Sequence, residues 1–150
     1  MLSVHRLAIT CGLGGMIPFI LGLLAIWFWP GGADMAAKLF FLYSAGILAF
    51  MAGVYWPIGM QLEDRSYPIS PVNALLLSQF FFITAALSVL LPYQFAIIVF
   101  PLLYLLLYLT DRRIMGGYWP DWYLKLRLAL TIVVISSQIG VGIALLAGVI

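Results

Sequence analysis

Residues 111–131, DRRIMGGYWPDWYLKLRLALT, hold four of the chain's seven basic side chains: Arg112, Arg113, Lys125 and Arg127. The sequence on either side is apolar over helix-length runs, so this stretch must lie where water or lipid headgroups can solvate it. That makes it a membrane-surface loop. Gly116 and Gly117 allow the turn, while Tyr118, Trp119, Trp122 and Tyr123 have the amphipathic rings that rest at headgroup depth. Arg112 and Arg113 follow the end of one helix, where cations oppose the negative end of its dipole. Arg127 enters the next helix more deeply, on a stem long enough to snorkel outward. Arg112, Arg113, Trp122, Tyr123 and Arg127 are therefore candidate lipid or partner contacts. An internal Asp111–Arg127 pair is the other reading of that arginine, and a plain topology signal is the favoured one.

Composition agrees with the loop. The 150 residues are 65% hydrophobic and 8% charged, with a mean hydropathy of +1.16, whereas soluble domains carry about a quarter charged residues. A soluble fold is excluded, and a basic surface for nucleic acid is not expected. Cys11 is the only cysteine, so one chain can form neither a disulfide nor a cysteine metal site. The N-terminal apolar run continues to Trp29 without a small-residue cleavage site and is read as a retained helix.

Outward from the loop, each crossing of a hydrocarbon core of about 30 Å needs roughly 20 apolar residues. The expectation is an all-α bundle of five transmembrane helices, at about 7–29, 36–56, 72–91, 93–110 and 124–150, in a single integral membrane domain. Pro18 interrupts the first helix and Pro101 the fourth. Pro30, Gly31 and Gly32 separate the first two helices, with Asp34 as the cap of the second. Pro57 to Pro71 should leave the membrane, with Glu63, Asp64 and Arg65 as a solvated turn. Val72 to Thr110 as one helix would run about 60 Å, so a hairpin at Pro92 must divide it. Small residues recur every four positions at Ala45, Ala49 and Gly53, and again at Ser136, Gly140, Ala144 and Gly148, giving two candidate helix-packing stripes. Gln79 is the deepest amide of the third helix and the candidate polar ligand contact. Asp121 is a candidate cap for the last helix and precedes Lys125 by one turn.

Orientation follows from the basic residues. Arg6, Arg65, Arg112, Arg113, Lys125 and Arg127 fall on one side and Lys38 alone on the other. The positive-inside rule then puts the N-terminus in the cytoplasm and the C-terminus in the periplasm or outside.

Several runs carry a family resemblance: LGGMIPF at 13–19, YSAGILAFMAGVYW at 43–56, Asp111, and PDWYLKLRLALT at 120–131. Together they resemble the bacterial "domain of unknown function 3429" family, related to the mitochondrial transmembrane protein 69. The resemblance implies a five-helix protein of the bacterial inner membrane and brings no catalytic residues with it.

An enzyme is not expected. His5 is the sole histidine, and no helix carries an ionisable residue near its midpoint, where proton relays and ion sites reside. No phosphate loop or nucleophile–base pair is visible, and no cofactor is expected. Two packing stripes without a chemical constellation point to a structural or accessory subunit. It would pack against itself or a larger membrane complex, such as a respiratory one. The alternative is a binding or transport protein for a small apolar or weakly polar molecule such as a quinone or lipid, using the proline interruptions and Gln79.

Overall fold

The computed structural model describes residues 3–62 and 70–150, without the side chain of Leu62. Among these residues all regular structure is helical: α1 (Val4–Phe28), one 3-10 turn (Pro30–Gly32), α2 (Ala33–Gly53), α3 (Tyr55–Leu62), α4 (Pro71–Ser88), α5 (Tyr93–Arg113) and α6 (Asp121–Leu146). Five segments are long and apolar enough to cross a membrane, the second running from Pro30 to Gln61. The expected five-helix architecture is therefore present. Its ends differ in ways that matter for the site.

The largest difference is at Pro57, which was expected to end a helix and lies inside α3. It is the third residue of α3, where a backbone N–H has no intrahelical acceptor to lose. Proline interrupts the ladder only at Val54, between α2 and α3, and the chain continues as helix to Leu62. Glu63, Asp64 and Arg65 lie outside the described residues. Asp34, read as a cap, is the second residue of α2 instead; Gly32 takes the cap position. The Asp34 carboxylate pairs with Lys38 at 2.6 Å and accepts the Tyr93 hydroxyl at 2.8 Å. Likewise Asp121 begins α6 behind Pro120 and is not its cap. α5 runs one turn beyond Thr110, which carries Asp111, Arg112 and Arg113 on a helix and not in a loop.

Side-chain bonds fix the direction of each neighbour. Tyr93 to Asp34, Tyr104 to the Ser44 carbonyl and Tyr55 to Asp111 tie α5 to the α2–α3 segment in parallel. The Tyr43 hydroxyl donates to the Gly15 carbonyl at 2.8 Å, and Phe40 lies against Gly22, so α1 runs antiparallel to α2. The Ser78 hydroxyl donates to the Ala52 carbonyl at 2.9 Å, while Gly59 faces Leu75, which sets α4 antiparallel to α2 and α3. Finally, Gly12 packs on Leu126 and the Trp27 indole donates to the Gly140 carbonyl at 3.3 Å; α6 therefore runs alongside α1. α2 is the hub, touching α1, α4 and α5, with α6 closing the bundle between α5 and α1.

Buried positions follow helical periods of three and four. On α6 they include Arg127, Thr131, Val134, Gln138 and Val141; on α2, Ala37, Phe41, Ser44, Leu48 and Ala52. A strict four-residue repeat cannot stay on such a face, because each step of four overshoots a full turn by about 40°. The stripes read from the sequence accordingly rotate out of contact. Ala45 is buried, Ala49 half-buried and Gly53 exposed; Ser136 is exposed, Gly140 half-buried and Ala144 buried. Gly148 lies beyond the helix end with φ +73°. Only the inner members pack, Gly140 most closely: a Cβ there would meet Leu23 Cδ1 at 2.8 Å.

Candidate functional site

Where α5 ends and α6 begins, two opposite charges meet inside the protein. Asp111 is fully buried and Arg127 is 4% exposed. Arg127 Nε donates to Asp111 Oδ2 at 2.7 Å, and Nη2 donates to the same oxygen. The other oxygen, Oδ1, accepts the Tyr55 hydroxyl at 2.5 Å. Tyr123 places its ring 5.8 Å from the guanidinium carbon, within cation–π range. Three elements thus supply one cluster: Tyr55 from α3, Asp111 from the last turn of α5, and Arg127 with Tyr123 from α6. Two ions removed from solvent are tolerated because each is neutralised and hydrogen-bonded by the other.

Arg127 was expected to snorkel to the surface, and the internal pair is what forms. The reason is angular. Arg127, Thr131 and Gln138 share one face of α6, and in a membrane helix polar residues turn toward the protein interior. On α5, Asp111 lies four residues beyond Leu107 and seven beyond Tyr104, all three buried, so it faces the same interior. The signal was present in the sequence as this polar periodicity, but it required α5 to extend past Thr110.

Arg127 of the ion pair lines a cavity of about 430 Å³ between α1, α2 and α6, with Asp111 behind it. Its walls are mainly apolar, including Met16 and Phe19 of α1, Phe50 and Met51 of α2, and Leu130 of α6. Gly12 and Gly15 line it as well; a Cβ at Gly12 would touch Leu126 at 3.4 Å, whereas one at Gly15 would meet only the Tyr43 hydroxyl, at 4.0 Å. Tyr104, Trp119, Tyr123, Arg127 and Thr131 bring the polar groups. Cys11 also lines it and is exposed. A larger hollow of about 780 Å³ lies on the other side of α1, against α2. Leu21, Leu39 and Leu42 line it and are themselves exposed, which makes it an outward-facing apolar groove with no ionic group.

Three side chains have buried polar atoms without hydrogen-bond partners among the described residues: Ser44 Oγ, Trp119 Nε1 and both amide atoms of Gln138. Gln138 is fully buried on α6. It holds the interior position assigned from the sequence to Gln79, which is exposed on α4. Gln79 is one residue beyond Ser78, the residue that faces α2, and one step of about 100° turns it outward. The remaining surface candidates are dispersed. Arg112 is exposed and donates to the Tyr108 hydroxyl at 3.4 Å; Arg113 is exposed. Trp122 is half-buried with its ring 4.3 Å from that of His5, which is part of α1 and not of a tail. Tyr123 alone joins Arg127 at the cavity.

Five membrane-length helices around a buried ion pair and an apolar cavity define a polytopic membrane protein with an internal polar centre. The chain belongs to a family described as protein of unknown function, DUF3429, whose model matches residues 4–143. No curated protein and no solved structure matches it.

Proposed function

We propose that this protein binds a small, largely apolar molecule within the membrane, in the cavity between α1, α2 and α6, without transforming it chemically. The observation that carries this reading is the Asp111–Arg127 pair beside a 430 Å³ apolar space. Small-molecule sites typically combine about 300–1,000 Å³ of mostly apolar wall with a few placed polar groups. Ionisable groups buried in membrane helices generally mark functional positions. Quinones and lipids are the two broad classes whose shape suits such a space. The basic end of the bundle, with Arg6, Arg112, Arg113 and Lys125, is taken to face the cytoplasm of a bacterial inner membrane, with Arg112 and Arg113 at lipid phosphates.

The test is native mass spectrometry of gently extracted protein, with Gly15→Leu as the variant that fills the cavity. A co-purifying small molecule should be retained by the wild type and lost from Gly15→Leu. Equal occupancy of the two, or none in either, would sink the reading.

An accessory role, against a second copy or a larger membrane complex, is the second reading. Gly46 and Gly53 favour it: they lie seven residues apart on the outer face of α2, and a Cβ at either would meet open space. Close helix approach in lipid uses such positions. Co-purification from a mild detergent tests it, and a strictly monomeric, partner-free protein would end it.

A further inference from the structure

We propose that the polar end of this cavity recognises a neutral carbonyl oxygen, so that the occupant is an apolar molecule headed by a ketone, quinone or ester. The inference rests on the binding reading above and adds the chemical class of the head. Hydrogen-bond accounting carries it. A guanidinium offers five N–H donors and no acceptor, and an indole offers one donor. At Arg127, Nε and Nη2 are committed to Asp111, leaving Nη1 outside the pair. Trp119 lines the same cavity, and its buried Nε1–H has no acceptor among the described residues. The hydroxyls of Tyr104, Tyr123 and Thr131 on the same wall can donate or accept, so the groups that fix the preference are these two donor-only ones, and they call for an acceptor. The Asp111 carboxylate does not serve a donor-bearing head, because it is fully buried behind Arg127 and Tyr55 and is not part of the cavity wall.

Charge narrows the class further. The Asp111–Arg127 pair sums to zero, so a carboxylate or ammonium head would enter as a third, uncompensated charge against a mainly apolar wall, which is unfavourable. A carbonyl brings two lone pairs, no hydrogen that needs an acceptor, and no net charge. It can take both the guanidinium and the indole donors.

Cys11 makes this measurable, since it is the single cysteine, is exposed, and lines the cavity. Full-length protein in phosphatidylcholine nanodiscs would be alkylated with a maleimide in the presence of four probes with chains of matched length. These are 2-tridecanone, dodecanoate at about pH 9 where it is ionised, dodecyltrimethylammonium, and n-tridecane. The ketone should protect Cys11 at about tenfold lower mole fraction than the alkane, and both charged probes should protect less well than the ketone. In Trp119→Phe, which keeps a ring and removes the N–H, the ketone should fall toward the alkane while the alkane is unchanged. A ketone no better than the alkane, or a charged probe better than the ketone, would overturn the head-group assignment while leaving the binding reading standing. If none of the four protects Cys11, the binding reading itself fails and this inference fails with it. The wild-type ranking decides the matter even where Trp119→Phe does not assemble.

Discussion

Among the described residues Asp111 and Arg127 are each other's ionic partner in the interior, so their substitutions should be strongly coupled. Asp111→Asn leaves a buried guanidinium unneutralised and should cost about 3–5 kcal/mol of stability. The double variant Asp111→Leu with Arg127→Met removes both charges and should recover most of that loss, as replacement of buried pairs by apolar groups often does. Thermal unfolding in detergent checks both; additive losses would mean that the two side chains do not interact. Gln138 should behave oppositely. Both its amide atoms are buried and have no partner among the described residues, and desolvating such a group costs about 1–3 kcal/mol. Gln138→Leu, similar in size, is expected to raise the midpoint of the same unfolding curve. A drop would show that the amide has a partner in the assembled membrane protein.

Elements set where those residues point. The turn between α5 and α6 is the one that brings Asp111 opposite Arg127, and it closes over Gly116. A Cβ at Gly116 would lie 2.2 Å from the Arg112 carbonyl oxygen, a backbone atom that cannot swing aside. Gly116→Ala should therefore shift the turn, pull the ion pair apart and lower the unfolding midpoint, whereas Gly117→Ala, with open space around it, should be close to neutral. Equal effects of the two would refute this account of the turn. At the α2–α3 junction, Pro57→Ala returns a backbone donor at the break. Hydrogen exchange at residues 53–58 should slow as the two helices join; unchanged exchange would place the cause of the break elsewhere.

For the molecule as a whole, five crossings, each opposite in direction to the one before it, leave the start of α1 and the end of α6 at opposite ends of the bundle. The cavity lies at the α1-start end, the end where Arg112, Arg113 and Lys125 gather. Topology reporters fused at Met1 and at Ile150 should respond in opposite senses, with the N-terminal fusion active on the cytoplasmic side. Matching responses at the two termini would contradict both the five-span fold and the orientation. Interior polarity also has a consequence at this scale. The aromatic cluster of Phe19, Phe40, Phe41, Phe100 and Tyr104 holds α1, α2 and α5 together independently of the ion pair, so Asp111 variants should remain helical by far-UV circular dichroism even where the midpoint falls.

Sequence alone determined the solvent and the number of crossings, but not where each helix ends. Those follow from one-dimensional quantities: how long an apolar run must be to cross hydrocarbon, and where proline, glycine and charge interrupt it. The site was only partly legible. The polar face of α6 through Arg127, Thr131 and Gln138 could be read by counting, and the Asp111–Arg127 pair was one of three readings of that arginine, behind the favoured topology signal. Which side of each helix faces inward is an angular quantity that accumulates about 100° per residue. A one-turn error at the end of α5, or a four-residue stripe taken as a straight face, therefore sends Asp111 outward or puts Ser136 inside. The three-dimensional packing of α1, α2 and α6 decided the rest: that Gln138 and not Gln79 is the buried amide, and that glycines on α1 open a cavity beside a buried charge pair. A cavity is formed between elements distant in the chain, and no local pattern encodes it.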